Sequence, residues 1–231
     1  MRKPIVAIDG PAGAGKSTVA KHVAKELGFT YMDTGAMYRA VALKVMEKGM
    51  DLTDEQGLKK VLGLTRVELR ENGGGLKVFL DGVDVTDRIR APEISQWASR
   101  VSALKAVRER MVELQQAMGV LGGVVAEGRD IGTVVFPDAD VKIYLDATSR
   151  KRAGRRFDEL RSQGKEVSLE ETVREMAERD RRDKGREVAP LRRAEDAILI
   201  DSTNVDVDKV VERIMLAIEN KMSRLQPEGK K

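Results

Sequence analysis

The residues Gly10-Pro11-Ala12-Gly13-Ala14-Gly15-Lys16-Ser17 match the pattern G-x-x-x-x-G-K-[ST]. Each residue type in it suits an anion. Glycines let the backbone wrap closely around phosphate oxygens and turn its N–H groups inward. A helix starting near Lys16 aims the positive end of its dipole at the same anion. Lys16 is placed to reach the β and γ phosphates of a nucleoside triphosphate, and the Ser17 hydroxyl to ligate the accompanying Mg²⁺. Gly10, Pro11, Ala12, Gly13, Ala14, Gly15, Lys16, Ser17 and Thr18 are the candidate ATP-binding residues. A Gly-rich turn with an ordinary surface lysine is the alternative, and the flanking pattern disfavours it. The apolar run Ile5-Val6-Ala7-Ile8 precedes the loop, as for a strand buried on both faces. Val19, Ala20, Val23, Ala24 and Leu27 follow it at helical spacing, with Gly28 placed to end the helix.

Two further clusters follow strand-like segments. Asp33-Thr34-Gly35-Ala36-Met37-Tyr38-Arg39 comes after an expected strand at Phe29–Met32, where an open parallel sheet binds ligands. Thr34, Tyr38 and Arg39 could hold a second phosphate there; a plain strand–helix turn is the competing reading. Glu127-Gly128-Arg129-Asp130 comes after an expected strand at Gly123–Ala126. Gly128 permits close approach, Arg129 can clamp a phosphate bidentately, and Asp130 can accept from an amino group. A structural salt bridge is the alternative for that pair. Arg152, Arg155 and Arg156 share a helix face, as do Arg179, Asp183 and Arg186 if the helix persists to Gly185. So many guanidinium groups on one face suggest a flap over phosphates; a solvated, ion-paired helix is the bland alternative.

The elements that must position these groups alternate strand and helix. Further strands are expected at Val141–Leu145 and Ala197–Ile200, all buried, and helices at Ala36–Lys48, Ile94–Met118, near Ser149, near Ser168 and from Val207. The pattern predicts an α/β fold, an open parallel five-stranded sheet with helices on both faces. Between Leu64 and Asp87 the period changes to two: Thr65–Leu69, a turn at Asn72–Gly75, Leu76–Leu80, and Asp81-Gly82 before Val83 and Val85 predict a small antiparallel insert. Lys221–Lys231 reads as a solvated, fraying tail.

Composition narrows the function classes. Aromatics are only 3% of 231 residues, so recognition rests on Arg rather than on stacking platforms. With no cysteine, a disulfide framework, a thiolate zinc site and a Cys nucleophile are excluded. The only histidine, His22, is assigned no role. A reducing, cytoplasmic setting is expected, with no signal peptide and no membrane partner. The formal net charge is +4 and acidic residues interleave the Arg-rich stretch from Arg150 to Arg193, so no nucleic acid partner is expected. A monomer is the default expectation. An [NT]-K-x-D guanine signal is missing, which disfavours a GTPase.

Taken together, GPAGAGKST, DTGAMYR, the β insert, AEGRDIGTVVFPDA, VKIYLDA, ERDRRDKGREVAPL and Asp201-Ser202 resemble the bacterial cytidylate kinases over nearly the whole chain. The resemblance implies one nucleoside monophosphate kinase domain over 1–231. Its core would be about 1–33, 119–149 and 194–223, its monophosphate-binding region with the insert about 34–118, and a mobile helical lid about 150–193. It implies ATP-dependent phosphorylation of CMP and dCMP to CDP and dCDP, UMP being poorer, with Mg²⁺ accompanying ATP. Arg39, Arg129 and Arg186 match positions that hold the acceptor phosphate, and Ser99, Arg108 and Asp130 those that read cytosine. Arg179 and Asp183 match ribose contacts, Thr34 a hydroxyl near the acceptor, and Arg155 a lid residue near ATP. Lys16, Arg129, Arg155 and Arg186 would be the catalytic set. Glu127 stands where the family also carries Asp. Rivals are another monophosphate kinase acting on UMP or AMP, an RNA-dependent P-loop ATPase, and a nucleotide-binding regulator without turnover.

Overall fold

The structure, a computed structural model, describes residues 2–72 and 75–225. Those residues fall into two compact units. One takes in the described residues of Met1–Tyr31, Leu121–Gly185 and Ala189–Lys231; the other takes in those of Met32–Val120 and Arg186–Val188.

The first unit is built on a sheet whose central strands are apolar and buried. Strands β1 (Ile5–Asp9), β2 (Thr30–Asp33), β6 (Val124–Gly128), β7 (Val141–Asp146) and β8 (Ile198–Asp201) form one sheet in the order β2-β6-β1-β7-β8. Central β1 runs parallel to β6, with Asp9 opposite Gly128, and parallel to β7, with Asp9 opposite Tyr144. Every residue of β1 and β6 is buried, the near-continuous apolar reading that parallel sheets require. Helix α1 (Lys16–Leu27) seats Val19, Ala20, Val23 and Ala24 in the core and ends at Gly28, whose N–H caps the last carbonyls in a left-handed conformation. Helix α8 (Val207–Leu225) adds Val210, Val211, Ile214 and Ile218. Two more helices, α6 (Ser149–Ser162) and α7 (Leu169–Gly185), pack against each other; the Ser168 hydroxyl accepts from the Glu171 N–H at the start of α7.

The last strand departs from expectation. Of β8 only Ile200 is buried, while Ile198 and Leu199 stand about half exposed. The strand lies at the sheet edge and pairs with β7 alone, so an apolar run here does not mean burial on both faces. The segment Lys221–Leu225 continues α8, and the remainder of the expected tail lies outside the described residues.

In the second unit, β3 (Val67–Asn72), β4 (Gly75–Leu80) and β5 (Val83–Asp84) form the antiparallel insert. The middle of the expected Asn72–Gly75 turn lies outside the described residues. Helix α2 (Thr34–Glu47) packs on the insert, and α3 (Glu55–Gly63), absent from the sequence reading, packs against a later helix. The single helix expected over Ile94–Met118 is two, α4 (Pro92–Val101) and α5 (Lys105–Gly119). Side chains stabilise the break: Ser102 Oγ donates to the Ser99 carbonyl at 3.2 Å, and Arg108 Nη1 to the Ser102 carbonyl at 3.2 Å. Carbonyls that a continuous helix would satisfy are satisfied there instead.

Candidate active site

Between β1 and α1 the loop Gly10–Gly15 turns back on itself. Gly10 takes φ 150°, and a Cβ on it would lie 2.0 Å from the Leu145 carbonyl oxygen, so the loop leaves the sheet along a path only glycine can follow. Lys16 is 5% exposed and its Nζ donates to the Pro11 carbonyl at 2.7 Å. Burial, with Arg129 and Arg179 nearby, pulls its ammonium down to about 7 against the opposing pull of Glu127 and Asp9. A lysine so placed gains most from an arriving polyanion. Ser17 Oγ donates to Glu127 Oε1 at 2.5 Å, and the Tyr31 hydroxyl donates to the same oxygen at 3.1 Å. The Glu127 carboxylate thus holds the hydroxyl expected to meet Mg²⁺.

Asp9, which the sequence reading passed over, joins the loop to the Arg129–Asp130 cluster. It is 5% exposed, and its two carboxylate oxygens accept from Ile131 N–H at 2.8 Å and Gly132 N–H at 2.7 Å. Burial pushes its carboxyl up to about 7, although those two bonds oppose the shift. The segment it holds, Ile131–Val135, is a wide turn in which Val135 N–H donates to the Asp130 carbonyl and Phe136 N–H to that of Ile131. Such i→i+5 turns concentrate at functional sites. An Asp9→Asn variant offers one acceptor oxygen to two N–H donors. We expect it to lose about 1–3 kcal/mol of stability, readable as a lower midpoint in urea unfolding.

Arg129 Nε donates to Asp183 Oδ2 of α7 at 2.9 Å, and Nη1 to the Gly128 carbonyl at 3.2 Å. Burial pulls its guanidinium down, yet Asp183, Glu127 and Asp180 more than offset this and raise it. Asp183 is thus engaged by an arginine of the same cluster. Asp130 is buried and Arg179 lies close enough to depress Lys16. Loop, Gly128, Arg129, Asp130, Arg179 and Asp183 all belong to the first unit.

Arg152, Arg155 and Arg156 lie at i, i+3 and i+4 on α6. Their charges already have acceptors. Arg156 pairs with Glu159 at 2.8 Å and Arg152 with Asp180 at 2.7 Å. Arg155 Nη1 donates to Ser202 Oγ at 3.1 Å and, at longer range, to the Gly13 and Ala14 carbonyls; its Nη2 donates to the Ser202 carbonyl at 2.6 Å. A P-loop that turns its N–H groups inward turns carbonyls outward, and Arg152 and Arg155 cover those of Ala12, Gly13 and Ala14.

In the second unit, Asp33 caps α2 by accepting from Ala36 N–H at 2.7 Å and also accepts from Arg39 Nη2 at 3.3 Å, which fixes that guanidinium. A Cβ on Gly35 would stand 3.2 Å from Arg39 Nη1, so the glycine leaves room for it. Thr34 and Tyr38 are buried on the same helix, and the Arg108 guanidinium lies 5.6 Å from the Tyr38 ring centre. Ser99 is buried and its Oγ has no protein partner among the described residues. Arg186 also belongs to this unit. His22 is exposed in a cleft with Glu26 and α8, among Asp208, Glu212 and Glu219, outside the P-loop.

Among the described residues no helix is long and apolar enough to cross a membrane, and no group of three or more His, Cys, Asp or Glu could hold a metal ion. Comparison with known proteins extends these observations. A family model described as cytidylate kinase matches residues 6–220. A cytidylate kinase of Pelotomaculum thermopropionicum is 55% identical over 216 residues, covering 93% of this chain and 96% of the relative. A cytidylate kinase of Bacillus subtilis is 49% identical over 220 residues, covering 95% and 98%. A crystal structure of an uncharacterized protein from Eubacterium ventriosum shares the fold, with TM-score 0.52 at 14% identity, covering 94% of this chain and 99% of that one. With a P-loop on a five-stranded parallel sheet, a separate antiparallel insert and this match over nearly its full length, the chain belongs to the cytidylate kinase family.

Proposed function

We propose that the chain transfers the γ-phosphoryl group of ATP to the phosphate of CMP or dCMP, giving ADP and CDP or dCDP. The observation that carries the reaction class is a buried Lys16 at the mouth of the P-loop, with Arg129 and Arg179 crowding the same charge. Family membership supports the acceptor. The buried Ser99 hydroxyl, and the Arg108 guanidinium beside the Tyr38 ring, support a polar ligand in the second unit.

The acceptor is a phosphate monoester, ionised at neutral pH, so no side chain has to remove a proton from it. An acceptor oxygen bonds to the γ phosphorus as the bond to the ADP bridging oxygen breaks. Charge gathers on the oxygens of the group in transit. The protein supplies position and a fixed positive field: Lys16 at the transferred group, Arg39, Arg129 and Arg186 on the acceptor phosphate, Arg155 on the ATP side. Ser99, Arg108 and Asp130 read the base, and Thr34, Arg179 and Asp183 hold the rest of the acceptor. Helices α6 and α7, closing as a lid, keep water from the phosphoryl group.

The residues present fit Mg²⁺. Its usual nucleotide site needs one or two hard protein oxygens, the phosphates and water completing the shell. Ser17 Oγ and Glu127 Oε1, already in contact, are such oxygens. When bound, the ion neutralises β and γ phosphate charge.

The acceptors of Arg152, Arg155 and Arg156 lie within the protein, which favours small-molecule substrates over an RNA surface, and we propose a monomeric enzyme of the cytoplasm. The test is ADP release with Mg-ATP against CMP, dCMP, UMP, AMP and GMP. We expect turnover of about 1–100 s⁻¹ on CMP and dCMP and a weaker response to UMP. Preference for AMP or UMP would overturn the base assignment. Silence on all five, with ATP hydrolysis stimulated by RNA, would overturn the reaction.

A further inference from the structure

We propose that Arg152 and Asp180 form a positioning pair that sets the shape of the ATP-binding loop from behind. The proposal rests on reading Gly10–Ser17 as the ATP site. Arg152 is 5% exposed, and each of its three guanidinium nitrogens donates to the protein. Nε donates to the Ala147 carbonyl at 2.9 Å, at the end of β7, and Nη1 to the Ala12 carbonyl at 2.9 Å, in the loop. Nη2 donates to Ser149 Oγ at 3.3 Å and pairs with Asp180 Oδ2 of α7 at 2.7 Å. An arginine so committed holds backbone rather than phosphate. Its planar fork spans three directions that a lysine ammonium cannot.

Packing carries the same link. Ala12, Ala153 of α6 and Met176 of α7 form one buried apolar contact. A Cβ on Gly13 would come within 2.8 Å of the Arg152 carbonyl oxygen and 2.9 Å of Met176 Cε. The outward face of the loop is therefore shaped by the α6–α7 pair, and its inward N–H groups point wherever that contact leaves them. Asp180 anchors the guanidinium from the second helix of the pair. Ordering of α6 and α7 and the grip on ATP are thereby one event.

Three variants test this: Arg152→Lys, Asp180→Asn and the double variant, each titrated with ATP in the absence of acceptor and then assayed for KM on both substrates. Arg152→Lys should weaken ATP binding about tenfold and Asp180→Asn about threefold, the isosteric amide keeping the fold. The double variant should be no weaker than Arg152→Lys alone, because both act through one contact. KM for the acceptor should stay within twofold in all three. Unchanged ATP affinity in Arg152→Lys, additive losses, or equal rises in both KM values would each overturn the pair. ATP titration reads the loop whatever the acceptor, so failure of the CMP assignment leaves this test intact. Wild-type protein that does not bind ATP would instead bring down the reading of the loop itself.

Discussion

Lys16→Met is expected to lower kcat by about a thousandfold, the upper range for removing one group that stabilises charge in the transition state, without unfolding the protein. The side chain is buried and its ammonium already unsettled, held down to about 7 by burial, Arg129 and Arg179. In the unfolded chain a lysine titrates near about 10.4. Between those values the unfolded state binds more protons, so stability from this group rises with pH across that window. Below about 7 the folded protein bears the full cost of a buried ammonium. Lys16→Met should therefore raise the unfolding midpoint at pH 7 and raise it less at pH 10, while turnover is lost at both. Thermal unfolding at the two pH values and a coupled ADP assay separate the effects. Retained turnover would remove the phosphate loop from the mechanism. A lower midpoint at pH 7 would mean that Lys16 holds the loop together through its bond to Pro11.

The contrast between what the sequence disclosed and what it hid follows from the range of the interactions. The loop, β1 and α1 were legible because each rests on local rules: a continuous apolar run, glycines at forced backbone angles, a 3.6-residue stripe. The helix break at Ser102-Ala103-Leu104 was not. No Gly or Pro marks it, and the bonds that stabilise it run from Ser102 to Ser99 and from Arg108 to Ser102, side chains answering freed carbonyls. Helix α3 lies in Glu55–Gly63, where Leu58 and Leu62 supply its buried face but too short a stripe to stand out.

Long-range partners in the site were hidden for the same reason. Asp9 meets Ile131 across 122 positions, and Arg152 meets Ala12 across 140. No periodicity encodes such pairs. A carboxylate closing the otherwise apolar run Ile5–Ile8 was a readable signal for Asp9, since a buried strand keeps a charge only where donors await it. For Arg152 the local signal pointed the wrong way. Three arginines on one face suggested a waiting anion, whereas Arg152 and Arg155 donate to carbonyls of the loop itself and Arg156 pairs with Glu159. Glu127 was visible as an Asp or Glu position, but its bond to Ser17 spans 110 residues and emerges only from the parallel pairing of β1 with β6.

Arg129→Met is expected to damage both activity and stability, and the two losses can be pulled apart. The guanidinium, part-buried, meets the buried Asp183 carboxylate at 2.9 Å, so truncation removes a charged partner from a buried carboxylate. Breaking such a pair from one side costs about 3–5 kcal/mol, which should show as a large fall in the urea midpoint. The double variant Arg129→Met/Asp183→Asn removes the buried negative charge as well and should recover much of that midpoint. Turnover should not recover with it: kcat/KM for CMP should stay about 10²–10³-fold down in both, as for loss of one preorganised donor. Arg129→Lys sharpens the distinction, since it keeps a charge near Asp183 but loses the planar fork. Its stability should approach wild type while kcat/KM remains depressed and ATP affinity changes little. Full turnover in Arg129→Lys would show that a point charge suffices and that no bidentate clamp operates. Equal loss of ATP and acceptor affinity would assign Arg129 to the architecture of α7 rather than to the acceptor phosphate.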